Sequence, residues 1–271
     1  MTAQRIGGMA LANGVLLHGP TAWACAVRTA DGEIQVRAGR KRFTPPAWLA
    51  GVPGLRGLAR LAEAVAVLGE VRRALPQARL PFMRSSTLLA AVAAALAGSS
   101  LRRRGGGSLS AEIGVGLLGL APALVALREG RVAAYHGAEH KVIAAWEHGS
   151  QAADEAREHE RCGTHLVAPM LALTAVGNAL LRRRGVRGPA AEAAVQLAAA
   201  GAAFELFAWS ERNRGRALAD ALQAPGRWFQ RVFGTREPDR RELDVATAAL
   251  RELLRVEQLA GNDADTAASG A

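Results

Sequence analysis

A chain of 271 residues, half of them apolar and with a formal net charge of +10, has room for one large or two small domains. Few aromatics and frequent Ala/Leu/Val/Gly runs argue against a β-rich core and for close-packed or lipid-facing helices. The positive charge does not signal nucleic acid, because Arg occurs in short blocks beside apolar runs with no basic stripe interleaved with aromatics. The two cysteines, Cys25 and Cys162, make no disulfide framework.

Residues 1–57 read as a small β-containing unit. Val15-Leu16-Leu17 precedes a Gly19-Pro20 break, and Ala24–Thr29 is expected to pair with Glu33–Arg37 across the turn signal Ala30-Asp31-Gly32. Cys25 reads as a small buried apolar residue. No secretory signal is expected, since Gly and Asn interrupt the first apolar stretch. In 58–84, Leu58, Leu61, Val65 and Leu68 recur at helical spacing with Arg around them, an amphipathic helix followed by a linker.

Four apolar segments follow: Ser85–Leu101, Leu109–Leu127, His165–Leu181 and Ala190–Trp209. Each approaches the ~17–25 residues of a bilayer-spanning helix, although the first is Ala-rich and marginal. The expected fold is mainly α and integral to a membrane. About four transmembrane helices form two hairpins, 85–127 and 165–209, with the β-containing unit at the N-terminus. The tips are the Arg-rich connections Arg102-Arg103-Arg104 and Arg182-Arg183-Arg184 with Arg187. Loop 128–164 and tail 210–271 then share the other side with the N-terminal unit. Lys and Arg counts favour neither orientation. A reducing environment for Cys162 places both termini in the cytoplasm, on the cytoplasmic (inner) membrane. In the tail, Leu243–Leu254 is helical in period, and Gly261–Ala271 is expected to be disordered. The bilayer is the expected partner and nucleic acid is not.

Chemistry concentrates in 128–164. Tyr135-His136-Gly137-Ala138-Glu139-His140-Lys141 contains His-x-x-Glu-His, the inverted zinc-protease pattern, in which two His bind an ion and Glu handles a proton of bound water. At about 100° per residue, His136, His140 and Glu147 fall within about 40° of one another on a helix, making Glu147 a candidate third ligand. His148 points away and reads as a surface residue or as a support behind a ligand. His159 and Cys162 add an imidazole and a thiol three apart, with Gly163 beside the thiol to permit a tight turn. The candidate ligands are therefore His136, His140, Glu147, His159 and Cys162, with Glu139 as the catalytic candidate; spacing does not choose four among the five. The ion is a divalent metal, zinc first and iron second. In the last apolar segment Glu205 is expected to face the site or to pair with Arg212. Asn178 is expected to hydrogen-bond between helices.

The chain resembles the YqhQ family of bacterial membrane proteins, a family of unknown function catalogued as predicted metal-dependent enzymes. The resemblance rests on Gly7-Gly8-Met9-Ala10 to Gly19-Pro20, Tyr135 to Lys141 with Glu147, His159 to Thr164, and Ala224 to Arg231 with Thr235-Arg236-Glu237-Pro238. Met9, Asn13 and His18 stand where Gln, Glu and Arg are usual, and Glu160 where Pro is common. The resemblance implies a membrane protein with a metal site. Three functions are then open: a metal-dependent hydrolase, a structural-metal scaffold or assembly factor, and an iron-dependent lipid-modifying enzyme, the last weakened by the small number of His.

Overall fold

The computed structural model describes residues 6–269, with side chains described through Leu259. The fold is mostly helical around one four-stranded antiparallel meander, β1 (Gly7–Ala10), β2 (Gly14–His18), β3 (Ala22–Arg28) and β4 (Ile34–Arg40), paired in that order. The expected hairpin forms between β3 and β4, with Gly32 at φ +90° in the turn, a conformation that favours glycine. Strand β1 carries no β-branched or aromatic residue, so only pairing, Gly7 with His18 through Ala10 with Val15, reveals it.

Strand β3 is apolar on both faces because helices cover both. Ala22, Ala24 and Ala26 join Val15 and Leu17 against α5 (Val132–His148) and α9 (Arg240–Ser269), where Ala138, Val142, Val245 and Leu253 are buried. Trp23, Cys25 and Val27 face α1 (Leu55–Ala74) through Val67 and Val71. Cys25 is fully buried, as expected, and burial pushes its thiol up to about 12. The N-terminal strands and the C-terminal helix thus share one core. Glu257 of α9 seals it: its carboxylate accepts Thr21 N at 2.9 Å, Thr21 Oγ1 at 2.7 Å and Ala22 N at 2.8 Å. Helix α9 continues to Ser269, where disorder was expected beyond Gly261, because Ala recurs there and favours helix; Gly270 and Ala271 lie outside the described residues.

The remaining helices are α2 (Ser85–Arg104), α3 (Leu109–Leu118), α4 (Ala121–Arg128), α6 (Val167–Arg183), α7 (Pro189–Arg212) and α8 (Ala217–Phe229). Among the described residues three stretches are long and apolar enough to cross a membrane: Leu109–Arg128, Gly163–Arg183 and Pro189–Arg212. The expected fourth, Ser85–Leu101, forms a helix of 20 residues but falls short of that apolarity, because Ala, Ser and Gly supply little hydrophobicity and three Arg close it. The second expected segment is broken between α3 and α4 at Gly119 and Leu120, just before Pro122, which has no N–H to donate.

The carboxylates Glu112 and Glu192 of this helical region are paired. Glu112 of α3 accepts from Arg102 Nε at 3.2 Å and from Arg182 Nε at 2.9 Å, and Glu192 of α7 accepts from the same two arginines at 3.0 and 2.7 Å. Asn178 makes the expected interhelical bond, donating to Glu112 at 3.2 Å. Glu205 neither faces the site nor pairs with Arg212. It accepts Gly54 N and Arg56 Nε, each at 2.8 Å, since Arg212 lies seven residues, about 10 Å, further along the axis.

Replacing Glu257 with Ala strands two backbone N–H groups and a hydroxyl, and is expected to destabilise the sheet core by about 2 kcal/mol, read as a lowered thermal midpoint of the purified protein, with Glu257→Gln intermediate.

Candidate metal centre

The His-x-x-Glu-His stretch lies on α5, as its spacing predicts, and runs past the edge of the sheet. Ala at 133, 134, 138, 144 and 145 favours the helix, and Gly149 ends it at φ +68°. Tyr135, Ala138 and Val142 face the sheet core, which leaves His136, Glu139 and His140 on the side where β1 and the downstream loops meet.

His136, His140 and Cys162 come together, with one ligand atom from each within 4.8 Å of the others. The imidazoles are oriented from behind. His136 Nδ1 donates to the Gly234 carbonyl at 2.8 Å and His140 Nδ1 to the Arg157 carbonyl at 2.6 Å. A carbonyl only accepts, so each Nδ1 carries the proton and each Nε2 is left with a lone pair, the tautomer that metal-binding histidines adopt. The Cys162 thiol lies 3.4 Å from His136 Nε2. Burial holds His140 well below the usual imidazole range and raises the Cys162 thiol above its ordinary value. As a ligand the thiol would release its proton to solvent on binding the ion.

Glu139 is buried beside this group, with Oε2 4.0 Å from His136 Nε2. Among the described residues it makes no hydrogen bond. Burial pushes its carboxyl up to about 7, against the opposing pull of His136. Gly8 of β1 roofs it: a Cβ at Gly8 would stand 2.3 Å from Glu139 Oε1. Sequence reasoning missed Gly8, and the only trace of it was the Gly7-Gly8 pair at the start of a strand too weak to recognise.

Glu147 and His159 stand apart from the three-atom group. Glu147 shares the helix face of His140 but lies seven residues, about 10 Å, further along the axis, where it pairs with Arg161 and lies 3.5 Å from His159 Nε2. The His159 ring is 5.5 Å from that of His140, its Nδ1 accepting from Arg161 N. His148 is at the surface, as expected, with Nδ1 3.0 Å from Glu155. Gly163 is not a tight turn: its φ is not positive, and a Cβ there would meet nothing within 4 Å.

The downstream motif holds the Cys162 loop in place. Gln230, fully buried at the start of a π-helical turn (Gln230–Gly234), accepts His159 N at 2.8 Å and donates to the His159 carbonyl at 3.2 Å. Gly226 gives the His165 ring its space, because a Cβ there would stand 2.4 Å from Nδ1. Residues 234–238 then cross α5 at Gly137, whose absent side chain is required: a Cβ would meet the Arg236 carbonyl at 2.3 Å. Arg236 N donates to the Ala133 carbonyl at 2.8 Å, and Lys141 pairs with Glu237 at 2.5 Å. The residues that depart in the opening motif have local roles away from the ion-sized group. Asn13 bridges Arg28, Gln77 and Arg79 through backbone atoms. His18 lies 3.2 Å from Lys41 and is held down to about 4, by burial first and by Lys41 second.

The family described as a protein of unknown function, DUF1385, matches residues 110–256, which include His136, Glu139, His140, Glu147, His159, Cys162 and Gln230. The uncharacterized protein YqhQ of Bacillus subtilis (strain 168) is 31% identical over 139 residues, 48% of this chain and 42% of that protein. The match thus spans less than half the length of that relative. No solved structure matches. Because the family match covers more than half of the 271 residues, the chain belongs to the DUF1385 family.

Proposed function

We propose that this is a membrane-embedded metalloprotein in which His136, His140 and Cys162 hold a divalent ion at the membrane surface and Glu139 acts as general base in a hydrolytic reaction. One observation carries the proposal: both imidazoles give their Nδ1 protons to backbone carbonyls, which leaves each Nε2 a lone pair, and one ligand atom from each of His136, His140 and Cys162 lies within 4.8 Å of the others. Two nitrogens and a sulfur suit zinc, with iron second.

Three protein ligands leave one position open, which distinguishes a catalytic zinc site from a closed structural one. When bound there, the ion supplies a Lewis acid and brings the pKa of water toward neutrality. Glu139 lies against the group without a hydrogen-bond donor of its own, so its carboxylate is placed to take a proton. A shift toward 7 matches a base working near neutrality. Glu147, Arg161 and His159 form an outer network that holds the Cys162 loop. A structural reading would need a fourth ligand, and the nearest imidazole, His159, turns its Nε2 toward Glu147.

The membrane part of the proposal rests on exposure. The three apolar stretches bury only 17–22% of their most apolar windows, and Leu88, Val92, Leu96, Ile113, Leu117 and Leu197 are exposed. Apolar surface of that extent needs lipid or a partner to cover it. Helix α2 enters as the fourth crossing through its packing on α3 and α4. The sheet, the metal group and α9 then share the cytoplasmic side, where Cys162 stays reduced.

The purified protein in detergent is expected to hold about one equivalent of zinc, measured by elemental analysis, with His136→Ala, His140→Ala and Cys162→Ser each losing most of it. Cobalt in place of zinc should give a thiolate charge-transfer band that Cys162→Ser abolishes. Absence of a stoichiometric metal overturns the proposal. Glu139→Gln should retain the ion; if it loses metal as the histidine variants do, Glu139 is a ligand, the open position is gone and the hydrolytic reading fails. Alkaline carbonate washing of membranes should leave the protein in the pellet, and release into the supernatant would show that the apolar helices are covered by a partner chain.

A further inference from the structure

The helices carry a second feature that the metal group does not use. An open groove of about 750 Å3 runs along one face of α2 and ends at the two Arg-rich connections. Its length separates it from the ion-sized group, because Arg182 closes the end of α6 remote from Cys162, about 25 Å along the 17-residue helix.

The groove is amphiphilic along its length. Its floor is made of small side chains on α2, Ala91, Ala94, Ala95 and Gly98, facing Gly119 and Pro122. The spacing keeps these on one helical face, and their size leaves the volume open. Beside the floor, α2 exposes Leu88, Val92 and Leu96, so the apolar half opens onto the surface that the membrane reading assigns to lipid. The other half is rich in cations, lined by Arg102, Arg103, Arg182 and Arg187 with one carboxylate, Glu192.

These four arginines divide by their partners. Arg102 and Arg182 close a ring with Glu112 and Glu192, two cations against two anions. Among the described residues Arg103 makes one hydrogen bond, donating to the Ser99 hydroxyl at 2.8 Å, and neither it nor Arg187 makes an ion pair. Two guanidinium groups of the lining are therefore left without a carboxylate partner, beside a ring whose charges balance. Guanidinium offers a planar fork of donors that fits phosphate in two-point contact, and an apolar slot beneath it fits a hydrocarbon chain. We infer that the groove is a binding site for an anionic phospholipid, with phosphate between Arg103 and Arg187 and an acyl chain along the small residues of α2.

The inference rests on the membrane reading and not on the metal, and the two fail separately, since carbonate washing reports insertion whereas the test here is made in detergent. Full-length protein, stripped of lipid in a mild detergent, is titrated with phosphatidylglycerol, phosphatidylcholine or glycerol 3-phosphate and followed by thermal unfolding and by native mass spectrometry. Phosphatidylglycerol is expected to raise the midpoint and to remain bound at one or two molecules per chain, at lower concentration than phosphatidylcholine by at least about tenfold, the factor that a single charge-assisted contact represents. Arg103→Gln with Arg187→Gln should remove that preference while leaving metal content unchanged. Ala95→Leu, which fills the floor without touching a charge, should weaken retention of both lipids. Equal retention of both lipids by the wild type, or an unchanged preference in the double Arg variant, overturns the inference. A full effect from glycerol 3-phosphate alone also overturns it, because the acyl chain would then contribute nothing.

Discussion

The passage of residues 234–238 across α5 at Gly137 is the contact on which the candidate site depends. Only a residue without a side chain lets the Arg236 carbonyl come so close to the helix, and the same crossing carries the Gly234 carbonyl to His136 Nδ1. That hydrogen bond fixes both the ring's direction and the nitrogen that keeps its lone pair. Gln230, one turn upstream, ties the loop bearing Cys162 to the same segment. One backbone crossing therefore sets the positions of a nitrogen and a sulfur that lie 26 residues apart in sequence.

The sheet supplies the other half of the support. Helix α5 is buried along nearly its whole length, with its back on β2 and α9 and the edge of β1 over Glu139. A buried carboxylate and a buried imidazole at consecutive positions, Glu139 and His140, are costly to desolvate unless rigid surroundings hold them in use. The apolar core behind α5 provides that rigidity. The four separated motifs of the sequence converge here, with Gly8 as roof, α5 as floor, the Cys162 loop as side wall and residues 224–238 as brace.

Much of this was legible in the residues, and the limits have physical causes. His136 and His140 declared themselves because i, i+4 spacing is a property of any helix, and the β3–β4 hairpin did so because Gly32 marks its turn. Glu147 misled in part. Angular position around a helix can be read from sequence number, but closeness also needs the axial rise, which carries it about 10 Å past His140. Gly8 and Gln230 were illegible as site residues, since their meaning is a contact made 131 positions away in one case and 71 in the other. The marginal apolarity of 85–101 was visible beforehand, and the described structure leaves it as a helix that packs with the apolar ones without matching them.

The Glu257 clamp has a consequence for the order in which the molecule can be made. Strands β2 and β3 leave the ribosome first, yet the face that packs on Val245, Ala246, Ala249 and Leu253 stays open until α9 has been synthesised. By then every apolar helix has already emerged. Until α9 docks, Ala22, Ala24 and Ala26 lack the part of their cover that it supplies, and Ala138 and Val142 of α5 lack Val245 and Ala249 behind them. The helix that carries His136 and His140 therefore gains its full backing only when the last element of the chain is in place.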